Sequence, residues 1–225
     1  LAGWSNPCFF ALNLIPRFLR FFFHHLYHGL AFTYDLVAAT VSFGQWTEWT
    51  KATLPFIEGT RLLELGHGPG HLQRLFPEMG LLAVGLDESA QMGRLARARL
   101  IRNRAPVNLT RGLAQNLPFP PAAFDSIIST FPSEYIYDAR TLAEVRRALR
   151  SRGRLIVLPA AWPSNRLLGW LFKVTGESPT AVAELIKDKM GQPFIRAGFE
   201  TEVRTLEVKS GVLIIVIAEK PLEGS

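Results

Sequence analysis

From residue 61 onward, short apolar runs alternate with longer segments whose apolar positions recur every three or four residues. Residues 61–65, 81–86, 107–110, 124–129 and 154–159 read as strands. Residues 90–101 and 139–149 read as helices between them, and a further helix is expected to begin at 72–76. Another helix spans 181–197 around a Gly191-Gln192-Pro193 interruption. Residues 202–208 and 212–219 close the chain as an antiparallel hairpin that turns at Ser210-Gly211. Alternating strands and helices imply one α/β sheet, seven-stranded and mostly parallel, with helices on both faces. Right-handed crossovers and a reversal of strand order place a ligand crevice at the carboxyl ends of the first strands.

The first 58 residues follow a different pattern. Residues 8–15 and 18–34 form two apolar helical pieces around Pro16, and the second continues towards Trp46 and Trp49. Gly44 marks a break, and a further helix runs to about Ile57. The chain is therefore divided into an apolar helical lid or interface segment, 1–58, and a core, 59–225, within one structural domain. Residues 160–180 read as a loop-like excursion that carries Trp162, Trp170 and Phe172.

Composition adds three constraints. Hydrophobic residues make up 48% of the 225 and charged residues 20%, enough to bury a sizeable core. Cys8 is the only cysteine, which excludes an internal disulfide and suits a reducing cytoplasm. The apolar N-terminal runs are broken by Pro16, Arg17, Arg20 and Asp35, too soon for a membrane span. The basic residues follow the first apolar run instead of preceding it, so no secretory leader is expected.

The net charge is +6, and it is unevenly placed. Arg94, Arg97, Arg99, Arg102, Arg104 and Arg111 succeed one another without an acid between them, and Arg146, Arg147, Arg150, Arg152 and Arg154 form a second group. Such groups either face solvent or meet phosphate on lipid or nucleic acid.

The stretch Leu62-Leu63-Glu64-Leu65-Gly66-His67-Gly68-Pro69-Gly70-His71 lies where the first strand ends. Glycines there let the backbone turn sharply and approach a ligand closely. A dinucleotide loop runs G-x-G-x-x-G/A, and its last position would fall on His71, too bulky for that packing. Glu64 stands before the first glycine, where a carboxylate would repel a pyrophosphate but accept from the ammonium of an amino-acid moiety. Asp87, at the end of the second strand, is placed to hold both hydroxyls of a ribose.

These blocks resemble the class I S-adenosylmethionine (SAM)-dependent methyltransferases, the Rossmann-like type 11 group that includes quinone-biosynthesis C-methyltransferases. The matching residues are Glu64-Leu65-Gly66-His67-Gly68-Pro69-Gly70, Gly85-Leu86-Asp87-Glu88-Ser89-Ala90-Gln91-Met92, Leu117-Pro118-Phe119-Pro120 with Phe124-Asp125-Ser126-Ile127-Ile128, and the run from Leu142 to Leu155. The resemblance implies SAM as cofactor. Glu64, Gly66, Gly68 and Gly70 would cradle its methionine part, Asp87 its ribose and Met92 its adenine. Ala114 and Gln115 would border the adenine edge, while Thr130 and Phe131 would face the sulfonium and the acceptor. Tyr34, on the leading helix, would close over the cofactor. Similar enzymes often carry an aspartate where this chain has Leu113.

Methyl transfer asks for positioning, desolvation and at most a modest base. Glu134 and Tyr135, after the fourth strand, are the candidate catalytic residues. His24, His25 and His28 lack a nearby acid or cysteine and make a poor zinc site, so no metal is expected. The leading expectation is methyl transfer to a hydrophobic small molecule, a lipid or quinone, by a cytoplasmic protein peripheral to an anionic membrane face. The alternatives are an RNA or protein methyltransferase that uses the arginine groups, and a catalytically inactive SAM-fold protein. No RNA-binding module accompanies the arginines, which makes nucleic acid the weaker partner.

Overall fold

The computed structural model describes residues 45–163 and 179–222. The strands are β1 (Arg61–Leu65), β2 (Leu82–Asp87), β3 (Leu109–Arg111), β4 (Phe124–Thr130), β5 (Leu149–Pro163), β6 (Glu200–Val208) and β7 (Gly211–Glu219). The helices are α1 (Trp46–Lys51), α2 (Ala90–Arg102), α3 (Ala139–Ala148) and α4 (Pro179–Arg196). One seven-stranded sheet runs in the order β3-β2-β1-β4-β5-β7-β6. Pairing is parallel from β3 to β5, while β7 is antiparallel to both β5 and β6. Strand order reverses between β1 and β4, so the crevice lies at their carboxyl ends.

Successive strand residues feed two apolar clusters, one on each face. Leu63, Ile127, Leu155, Val157 and Val216 join α3 and Phe194 of α4 in one. Leu62, Ile128, Ile156, Leu158 and Ile215 join Trp49 of α1 and Phe76 in the other. The expected architecture is therefore present. Residues 45–58, grouped with the lid on sequence, are tied into this body. Trp49 Nε1 donates to Ser210 Oγ at 2.9 Å, and Glu58 exchanges two hydrogen bonds with the Ser126 hydroxyl. Residues 1–44 and most of the 160–180 excursion lie outside the described residues; 160–163 continue β5 and pair with β7.

Three element expectations need correction. No α-helix starts at Leu72. Residues 71–75 make hydrogen-bonded turns, and a single 3-10 turn, Phe76–Met79, stops at Gly80 in the left-handed region (φ 72°). Pro77 lacks the donor a helix would need there, and its ring crowds the carbonyl four residues back. Helix α4 runs through Gly191-Gln192-Pro193 without a break. Gly191 lies close to β6, since a Cβ there would sit 3.2 Å from Val203 Cγ2. Strand β5 is far longer than 154–159 because the register shift between Val157 and Ala160 lets it continue along β7.

Two of the recurring blocks turn out to be structural clamps. Glu144 Oε2 accepts from Leu117 N at 2.8 Å, and Arg147 donates to the carbonyls of Leu117 and Phe119, which fixes the Leu117-Pro118-Phe119 segment on α3. Asp125 accepts from the Thr60 and Arg61 amides and from the Arg61 guanidinium at 2.7 Å, with Arg150 at 2.8 Å. Burial opposes ionisation of Asp125, but these donors outweigh it and hold the carboxyl well below the usual carboxylate range.

Candidate active site

The glycine loop hangs between two strand ends. Gly66 N donates to Leu86 O at 2.8 Å, so the end of β2 holds the turn that leaves β1. Gly66, Gly68 and Gly70 all take positive φ (69°, 52° and 78°). A Cβ on Gly70 would lie 2.9 Å from Ala96 Cβ, so this glycine lets α2 pack against the loop. A Cβ on Gly66 would lie 2.7 Å from the Tyr135 hydroxyl. Nothing lies within 4 Å of a Cβ built on Gly68, which leaves the tip of the cradle open to a ligand.

Asp87 joins the loop to α2. Its Oδ2 accepts from Gly68 N at 2.9 Å and its Oδ1 from Ser89 N at 2.8 Å. Ser89 in turn caps α2 through Met92 N, and Met92 is buried in the first turn. A carboxylate offers about four lone-pair sites. Two at Asp87 are used by the protein, and the rest remain for a diol.

Glu64 is 3% exposed, and its side chain accepts from Gln73 Nε2 at 2.7 Å. Burial pushes its carboxyl up to about 8; the Gln73 bond opposes this, and the Asp87 charge adds to it. His67 is buried beside it. Its Nδ1–H donates to Gly68 O at 2.7 Å, and its ring covers Gly85, where a Cβ would meet Cδ2 at 2.9 Å. Burial lowers the His67 pKa, which the Asp87 charge partly offsets, so burial favours the uncharged form of both Glu64 and His67. Gln73 was not singled out on sequence, and His67 entered only as part of the glycine loop.

Beyond β4 the backbone is strained. Phe131 has φ 50° although Pro132 follows, and a residue before proline favours extended backbone. Its amide donates to Leu158 O at 2.7 Å, and its ring packs against Trp46, with centroids 4.0 Å apart and planes tilted by 30°, and against Trp49 at 6.3 Å. Thr130, half-buried, immediately precedes this bend. Ala114 is buried, and Gln115 reaches Asp138 Oδ2 at 3.4 Å, whereas Leu113 is exposed. Tyr34 lies outside the described residues.

The two candidate catalytic residues differ. Glu134 is exposed on the 3-10 turn Glu134–Tyr137. The Tyr135 hydroxyl instead donates to Leu65 O at 3.2 Å and lies 2.8 Å from Ser129 Oγ, beneath the loop. This geometry makes Tyr135 a support for Gly66 more than a free base. Tyr135→Phe is expected to cost about 1 kcal/mol of stability, with a kcat–pH profile of unchanged shape; a lost limb in that profile would assign it the proton instead. Among the described residues, no group of three or more His, Cys, Asp or Glu is placed to hold a metal ion.

Residues 63–157 match the family model of the methyltransferase domain. A demethylmenaquinone methyltransferase of Thermobifida fusca is 31% identical over 159 residues, covering 66% of this chain and 67% of that protein. The chain belongs to the SAM-dependent methyltransferase family. A demethylmenaquinone methyltransferase of Thermotoga maritima is 34% identical over 63% of this chain, and the match spans only 62% of that relative's length. The fold is shared with a putative SAM-dependent methyltransferase of Methanococcus maripaludis, with TM-score 0.59 at 16% identity over 87% of this chain and 94% of that one. The glycine cradle, with Glu64 buried behind it and the Asp87 carboxylate at its edge, has a donor set that fits SAM, the donor this family uses.

Proposed function

We propose that this methyltransferase acts on a hydrophobic, planar small molecule of the quinone-precursor class, at an anionic membrane face of the cytoplasm. The observation that carries the acceptor class is the aromatic pair of Trp46 and Phe131, in ring contact at the carboxyl end of β4, next to the donor loop. Aromatic walls bind flat apolar rings with little loss of conformational freedom. The names of the relatives agree with it, since both are called demethylmenaquinone methyltransferases.

In this reading Gly66, Gly68 and Gly70 bring backbone amides to the methionine end of SAM, and Glu64 accepts from its ammonium. Asp87 takes the ribose hydroxyls; Met92, Ala114 and Gln115 enclose the adenine. SAM supplies a methyl group already activated on sulfur. Thr130 and Phe131 hold the acceptor in line with it and exclude water, with Tyr34 proposed to close the site. Glu134 is the side chain left to accept a proton, and an acidic ring carbon asks little of it.

The test is methyl transfer from SAM to a demethylated naphthoquinol. Turnover by the wild type is expected. Trp46→Ala should raise the acceptor KM by about five- to tenfold and leave SAM affinity unchanged. Normal SAM binding without any transfer to the naphthoquinol would sink the acceptor class.

A further inference from the structure

The two arginine groups have different fates. In the second, Arg147, Arg150, Arg152 and Arg154 are each paired with a carboxylate: Glu144, Asp125, Glu219, and Glu58 with Glu219. In the first, Arg99 donates to Pro69 O and Arg111 to Glu88 O. Arg94, Arg97, Arg102 and Arg104 make no ion pair or side-chain hydrogen bond among the described residues, and all four are exposed.

Their placement follows from the helix. Met92, Ala96 and Leu100 are the buried stripe of α2. Arg94, Arg97, Ala98, Ile101 and Arg102 recur at three- and four-residue spacing on the opposite face. Ile101 is 55% exposed in the middle of that face. Helix α2 returns antiparallel to β2, so its last turn lies at the amino end of β2, where Leu82 is 70% exposed. No acidic residue occurs between Ser89 and Phe124. The six arginines from Arg94 to Arg111 equal the net charge of the whole chain, +6, so the remainder is electrically balanced. The net positive charge of the protein thus equals that of this one segment.

We propose that the exposed face of α2 and the turn after it dock on an anionic lipid surface, with Arg94, Arg97, Arg102 and Arg104 at the headgroups and Ile101 inserted between them. This rests on the membrane-associated reading above and names the surface that makes the contact. Charge complementarity favours an anionic partner, since unpaired arginines near such a bilayer each add attraction. The central exposed isoleucine favours lipid over nucleic acid. Helix α2 carries no aromatic ring on which a base would stack.

The test uses the full chain, with no acceptor present, in sedimentation with vesicles of phosphatidylcholine alone or with phosphatidylglycerol. Binding to the anionic vesicles is expected, weakened by salt. The combined variant Arg94→Gln, Arg97→Gln, Arg102→Gln and Arg104→Gln should lower partitioning by about tenfold or more, while SAM affinity stays at the wild-type value. Ile101→Ser should lower it by a few-fold on the same vesicles. Equal vesicle binding by the wild type and the fourfold variant, or none by either, would overturn the proposal. So would salt-steep binding to single-stranded RNA, lost in the variant, without vesicle binding. Because acceptor turnover is measured separately, a failure of the quinone reading leaves this result legible on its own.

Discussion

Asp87→Ala is expected to weaken SAM binding by about 100-fold, the loss of roughly 3 kcal/mol from charge-assisted hydrogen bonds to a ribose diol. Part of any loss will be structural, because Gly68 N and Ser89 N both donate to this carboxylate. Asp87→Asn is the milder change. Its amide oxygen can accept from only one of the Gly68 and Ser89 amides, and its NH2 faces the other, so about 1 kcal/mol of stability should be lost with the charge. SAM affinity should fall about tenfold. Calorimetric titration and thermal unfolding read both quantities. Wild-type SAM affinity in Asp87→Asn would remove Asp87 from the ribose site and leave it only as the clamp between loop and helix.

The parts of this molecule legible in the sequence are those fixed by local chemistry. Gly66, Gly68 and Gly70 are spaced for a turn that only glycine enters freely, and each takes positive φ. The strand–helix alternation gives the sheet because the central apolar runs, in β1, β4, β5 and β7, are buried on both faces. The parts that were not legible depend on contacts between distant segments. Gln73 meets Glu64 because Pro77 prevents a helix and sends residues 71–75 through turns. The left-handed Phe131 is held by Leu158 O on β5 and by Trp46, neither of which its neighbours in sequence reveal. The two arginine groups look alike in the chain. The fold alone brings Glu144, Asp125, Glu58 and, through the register of β5 against β7, Glu219 to the arginines of the second group.

The buried Glu64 makes donor binding a proton-linked event. In the cofactor-free protein its carboxyl is raised from 4.5 to about 8, chiefly by burial. The folded state then holds a proton that the unfolded state has released across that interval. The stability this group contributes is full below about pH 4.5 and is lost as pH rises through about 8. The whole shift corresponds to about 5 kcal/mol at most. Glu64→Gln keeps the shape and the hydrogen bond with Gln73 while abolishing the titration. Its melting temperature should match wild type at low pH and exceed it at pH 8. Binding of an ammonium reverses the balance, since a nearby positive charge favours the carboxylate. At pH 7 the wild type is therefore expected to release close to one proton on binding SAM, and its affinity should climb with pH. The climb ends near pH 8, where an α-amino group begins to lose its own proton. Titration in buffers of different ionisation enthalpy measures that release directly. Glu64→Gln should release almost none and bind about tenfold more weakly at pH 8. The same proton release in both proteins would place the donor's ammonium elsewhere, and Glu64 would then be a buried acid with a purely structural partner in Gln73.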